Sequence, residues 1–262
     1  SIHDARTAAL ISGTWLFYAV GYWLLRATEV LQPHADAIGA IDGAEWRCRL
    51  LSCINAAVLS VGSLLCFAEW PYAGAEGYIS SGVRSHPVTF AALLGGYLHW
   101  DVCWMLWHMY DYKDGSALVH HLMFLGITHY VLWGWYFKLP FAWLSLAEVS
   151  TIPLNARWFL IASGRKAGVA YTAASLSFAL SFLGTRVLGY GLGLFELWRS
   201  YPLWRPARVG LYVVIAAVHA GFALNLFWAR KVIANLLKAA RGIHEKREPV
   251  ATAPSSAHAK AA

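Results

Sequence analysis

Long apolar runs separated by short polar interruptions organise the chain. A helix crossing the hydrocarbon core of a bilayer needs about 20 mostly apolar residues, and seven stretches approach that length. The first runs from Thr7 to Leu25 and stops at Arg26. A polar stretch with Pro33, Asp36, Asp42 and Glu45 follows. The second covers Leu50 to Ala68 and ends at Glu69, Trp70 and Pro71. A Gly/Ser-rich loop leads to Pro87, a favourable first-turn residue for the third stretch, Val88 to Trp107. The fourth, Leu118 to Phe137, follows a short polar loop. The fifth, Phe141 to Ile161, is the least regular, because it contains Glu148, Pro153, Asn155 and Arg157. The sixth runs from Ala167 to Leu188, and the seventh from Val209 to Trp228, capped by Arg230 and Lys231.

The pattern predicts an all-α fold: a polytopic membrane helix bundle of about seven transmembrane helices. Residues 1–48 read as an N-terminal span with a polar loop, and residues 49–230 as the helical membrane domain. Residues 231–262 form a basic, then Ala/Ser/Pro-rich, C-terminal tail. Composition supports this division. Hydrophobic residues make up 58% of the 262 positions and charged residues only 13%, about half the charged share of a soluble domain. Fourteen Trp and thirteen Tyr suit membrane–water boundaries, where amphipathic rings settle.

The net charge of +7 does not indicate a nucleic-acid surface. Much of it lies in the tail, at Arg230, Lys231, Lys238, Arg241, Lys246 and Arg247, where anionic lipid headgroups are the simpler partner. With seven spans, six Lys and Arg fall on the side of the N-terminus and fourteen on the other. The imbalance places the C-terminus in the cytoplasm, or in the matrix of a mitochondrial inner membrane. The four cysteines, Cys48, Cys53, Cys66 and Cys103, have neither zinc-site nor disulfide-framework spacing. The segment Ser1–Leu25 lacks the features of a secretory signal peptide. From about Pro249 the tail has the composition of a segment disordered in isolation, so its ordering would call for a partner.

Ionisable groups inside a membrane are costly and need a structural partner or a function. The third span carries Tyr97, Asp101 and His108 along one face, with His99 directed elsewhere. The fourth opens with His120 and His121, and Thr128 shares a face with His121. The fifth bears Glu148, Thr151 and Asn155 as a stripe, with Arg157 near its end. These groups either satisfy one another, as Asp101 with a histidine or Glu148 with Arg157, or line a polar cavity. Adjacent helical histidines point about 100° apart, so no metal site is expected. The first, second and seventh spans read mainly as lipid-facing walls.

Three segments in order resemble the TLC-domain family: Gly95-Gly-Tyr-Leu-His-Trp-Asp101, Val119-His-His-Leu-Met-Phe-Leu125 and Glu148-Val-Ser-Thr-Ile-Pro-Leu-Asn-Ala-Arg-Trp158. The resemblance extends in order and spacing from the second span to the seventh. It is nearer to the small, poorly characterised branch than to the ceramide synthases. In ceramide synthases the paired histidines, matching His120 and His121, belong to the acyl-transfer site, and a His-Asp pair follows about one helix later. Here Glu148 stands at that place, a departure that argues against N-acyl transfer. The other branch is linked to membrane lipid composition and lipid sensing.

The expected role is therefore lipid-directed: lipid binding, sensing or acyl-transfer-like chemistry in a polar intramembrane cavity. His120, His121 and Asp101 are the candidate catalytic groups. Tyr97, His108, Thr128, Glu148, Thr151, Asn155 and Arg157 are the candidate binding residues. No resident cofactor is expected; a phospholipid or acyl-CoA is the ligand class. An enzyme of this design would be an acyltransferase acting on lipids. The alternative is a non-catalytic accessory subunit of a large membrane complex such as a mitochondrial respiratory assembly, with other subunits as partners. A transporter lacks the repeat symmetry that would support it. The endoplasmic reticulum or endomembranes are the expected location, with the mitochondrial inner membrane as the alternative.

Overall fold

Backbone in hydrocarbon must satisfy its own hydrogen bonds, so apolar runs of this length become helices. The computed structural model describes residues 2–28, 40–79, 86–112, 115–134 and 140–247, and every element among them is helical. The order is α1 (Ile2–Thr28), α2 (Ala40–Ile79), α3 (His86–Trp107), the single turn α4 (Met109–Tyr112) and α5 (Gly115–Trp133). Then come α6 (Phe141–Ser145), α7 (Thr151–Ala162), α8 (Val169–Phe182), α9 (Tyr190–Arg199), α10 (Tyr201–Trp204) and α11 (Val209–Arg247). The polar loop around Pro33 and Asp36, the Gly/Ser-rich loop and the tail beyond Arg247 lie outside the described residues.

Four helical stretches are long and apolar enough to cross a membrane: Asp4–Thr28, Gly43–Glu69, Val169–Arg199 and Val209–Lys238. The other three expected spans fall on α3, α5 and the α6–α7 pair, which carry His99, Asp101, His120, His121, His129 and Glu148. The chain is thus an all-α membrane bundle, with α3 largely buried among its neighbours. Large apolar side chains such as Trp23, Leu64, Leu180 and Phe195 point outward, as lipid-facing positions should.

Side-chain contacts fix the helix directions. Gly62 meets Phe90 near one end of the α2–α3 pair, and Cys48 meets Asp101 near the other. Leu132 lies beside Gly95, whereas His121 lies beside Asp101, so α5 runs against α3. Met123 and Phe124 face Gly221, and His120 faces Trp228, so α11 runs against α5. By the same reasoning α6–α7 opposes α2, through Ser63 with Ala142 and Arg49 with Asn155. Helix α1 instead runs along α3, with Ile11 and Thr14 at Gly96 and Tyr22 at Trp100.

Several boundaries differ from the sequence pattern. The fifth stretch is not one helix: α6 gives way to a 3-10 turn, Leu146–Ser150, before α7 begins. Pro153 is the third residue of α7, within the first turn, where a missing N–H costs nothing. The sixth extends past Leu188 as one stack of α8, a π-helical segment Leu183–Gly189, and α9. Helix α2 continues through Pro71 to Ile79, and α11 through the basic residues to Arg247. Gly164, with φ +74°, ends α7, and its N–H donates to the Ile161 carbonyl. Such a left-handed helix terminus favours glycine.

Candidate functional site

Helices α2, α3, α5, α6, α7, α8 and α11, with the turn before α7 and the π-helical segment, line a cavity of about 510 Å³. Its floor is the pair Asp101 and His121. Asp101 is 3% exposed, and His121 Nδ1 lies 2.5 Å from its Oδ2. Cys48 donates its thiol to the other carboxylate oxygen, Oδ1, at 3.4 Å. A buried carboxylate needs such partners, and together they fix the carboxyl plane. With Nδ1 committed to Asp101, Nε2 is the imidazole nitrogen left to meet a ligand.

A second polar group comes from the turn before α7 and from the π-helical segment. Glu148 Oε2 accepts from the Thr151 hydroxyl at 3.0 Å. Arg186 Nε donates to Ser150 Oγ at 2.7 Å, and Nη2 donates to Thr151 Oγ1 at 3.2 Å. Nη2 also stands 3.8 Å from Glu148 Oε1. A π-helical turn offsets the residues within it from α-helical phase, and here Arg186 occupies that turn. A third group closes the α2–α7 side. Arg49 pairs with Glu45 at 2.6 Å and donates to Asn155 Oδ1 at 2.8 Å, with its guanidinium over Trp158. Asn155 Nδ2 returns bonds to the Arg49 carbonyl and to Ser52 Oγ.

Eight of the ten residues singled out from sequence line this cavity: Tyr97, Asp101, His120, His121, Glu148, Thr151, Asn155 and Arg157. Thr128 and His108 are elsewhere. Thr128 is buried against Gly95, because that part of the α5 face is a helix–helix contact. His108 sits where α3 breaks, and its ring stacks on Trp104 at 4.5 Å. Its Nδ1 bonds to the Trp104 carbonyl, as those of His99, His129 and His219 do to carbonyls four residues back. These four histidines are thus tied to their own helices. The rings of His120 and His121 instead point to other helices.

Arg157 does not pair with Glu148 as the sequence suggested. It donates to the Tyr171 hydroxyl at 3.1 Å, and Arg186 takes its place beside Glu148. The second and seventh spans are not simple walls either. Helix α2 brings Glu45, Cys48, Arg49 and Ser52 to the cavity, and α11 brings Asn225, Trp228 and Lys231. Arg186, Cys48 and Asn225 are among the lining residues not singled out from the sequence. The signal available for each was one polar residue inside an apolar run.

Comparison with curated proteins returned no match, and neither did comparison with solved structures. A family model for the TLC domain matches residues 45–234, a stretch that begins at Glu45 of the cavity wall and takes in every helix that builds it. The chain belongs to the TLC-domain family of membrane proteins.

Proposed function

We propose that the chain binds an acyl lipid with its polar end in this cavity, and that His121, oriented by Asp101, is the group that reacts with it. The supporting observation is the size of the cavity and its polar lining. A volume of about 510 Å³ is that of a ligand site, too small for a whole two-chain lipid and large enough for its reactive end. The acyl chains extend between the helices into the bilayer.

The chemistry that fits is acyl transfer to a hydroxyl. His121 Nε2 takes the acceptor's proton as the acceptor's lone pair attacks the acyl carbonyl of a thioester donor. Asp101 stabilises the imidazolium that forms, and the proton then goes to the departing thiolate as the carbon–sulfur bond breaks. Glu148 is held by Thr151 and Arg186 and acts on the ligand's position rather than as a second base.

Two variants separate binding from reaction. Ala147, 4% exposed, lines the cavity, so Ala147→Phe fills it. Mass spectrometry of lipid extracted from the purified protein is expected to find an acyl lipid with wild type and His121→Ala but not with Ala147→Phe. Labelled acyl-thioester is expected to pass its acyl group to membrane lipid with wild type only. Equal lipid retention by Ala147→Phe would remove the binding reading. Undiminished transfer by His121→Ala would remove the catalytic one.

A further inference from the structure

Asn225 stands apart from the other polar groups of the interior. It is 1% exposed and lines the cavity from α11, yet neither its Oδ1 nor its Nδ2 has a hydrogen-bond partner among the described residues. The other buried amide of the cavity, Asn155, has partners for both its atoms. Interior carboxamides are normally paired, because leaving both a donor and an acceptor bare is costly.

His120 presents a second group of the same kind. Its Nδ1 is buried with no partner among the described residues. The ring is held between Phe124, centroids 4.6 Å apart, and Trp228, at 5.5 Å. The antiparallel register of α5 and α11 brings the two polar groups to neighbouring heights. Trp228 faces His120, Gly221 faces Phe124, and Asn225 lies between Gly221 and Trp228 on the same face of α11.

The carboxylates around them are already paired, and Arg157 and Lys231 add two further cations to the lining. Arg186 lies beside Glu148, Arg49 pairs with Glu45, and His121 with Asp101. A further cation brought to this depth would have no counter-ion. We infer that Asn225 and His120 form a second polar subsite that holds a free hydroxyl, making the cavity's ligand a neutral long-chain alcohol such as a diacylglycerol. A hydroxyl donates and accepts from one atom, so it can satisfy the carboxamide oxygen and a neighbouring N–H together. A phosphate offers acceptors only and leaves Oδ1 bare. A trans amide presents its donor and acceptor on opposite sides and reaches one partner only.

This subsite rests on the lipid-cavity reading, and the experiment distinguishes their failures. The purified full chain is titrated with 1,2-dioleoylglycerol, its 3-O-methyl ether and dioleoylphosphatidic acid, with binding read by native mass spectrometry. Wild type is expected to bind the alcohol at least tenfold more tightly than the ether or the phosphatidate. Asn225→Leu, a near-isosteric change, is expected to bind alcohol and ether alike while melting no lower than wild type without lipid. Equal binding of alcohol and ether by wild type, or preference for the phosphatidate, overturns the hydroxyl subsite and leaves the lipid cavity standing. Binding of none of the three overturns both. The comparison of alcohol with ether needs no variant, so it holds even if Asn225→Leu folds poorly.

Discussion

Arg186 and Glu148 show what keeps ionisable side chains inside a bundle of this kind. The Arg186 side chain is 9% exposed and that of Glu148 24%, and each completes the other's bonding with Ser150 and Thr151 between them. Removing one member of a buried pair leaves the other's charge uncompensated, whereas removing both costs far less. Arg186→Leu is expected to lower the unfolding free energy by about 3 kcal/mol, and Glu148→Leu by a similar or smaller amount. The double variant is expected to lose less than the sum of the two, which denaturant melts in detergent will show as a coupling energy. Additive losses would mean that the two side chains do not stabilise each other. The sequence pointed to Glu148 but supplied Arg157 as its partner, because Arg157 shares its apolar stretch. Arg186 lies on another span, in a π-helical turn that regular 3.6-residue periodicity cannot register. Asp101 and His121 were legible because both are ionisable, Asp101 shares a face with Tyr97 and His108, and His121 stands beside His120. Asn225 was not, since one amide in a long apolar run gives no periodic signal.

At the scale of elements, apolar run length located the helices, and their ends were set by chemistry that the runs do not encode. The break between α6 and α7 follows from Ser145 and Ser150, whose hydroxyls bond back to the Phe141 and Ala147 carbonyls, and from Pro153. Such side-chain back-bonding competes with regular helix geometry. The close approach of α1 to α3 has a different basis. A Cβ on Gly96 would stand 2.5 Å from the Ile11 carbonyl oxygen and 2.6 Å from Thr14 Cβ. Small residues allow this kind of helix contact where no hydrophobic driving force separates helix from lipid. Helix α1 also lies outside the matched domain, residues 45–234, so this contact attaches an added helix to the domain. Gly96→Ala is expected to push α1 off α3 at a cost of about 1–3 kcal/mol. For a chain of this size that corresponds to a loss of several degrees in melting temperature. An unchanged melting temperature would show that α1 contributes no stability through this crossing.

At the scale of the whole molecule, helix direction and charge combine to say which face of the membrane the cavity serves. Its lining residues include the first turns of α5 (Ser116 to Phe124), the early part of α2 (Glu45 to Ser52), the later part of α3 (Leu94 to Met105) and residues Leu144 to Trp158 of α6, the turn and α7. Because these helices alternate in direction, the cavity runs from the middle of the bundle toward one end. Arg26, Arg165, Lys166 and Arg230 belong to that same end, at the close of α1, in the α7–α8 connection and in the later part of α11. Positively charged loops stay on the cytoplasmic or matrix side, so the expected orientation puts this end of the cavity and the C-terminus in that compartment, from which the proposed acyl donor would arrive. The bilayer supplies the lipid laterally. A peptide tag added after Ala262 is therefore expected to resist protease in sealed, right-side-out vesicles and to be cleaved once they are opened. Impermeant acyl-thioester analogues are expected to protect the cavity residue Cys48 from thiol labelling only in inside-out vesicles. Cleavage of the tag in intact right-side-out vesicles would reverse the orientation and place the cavity on the opposite face.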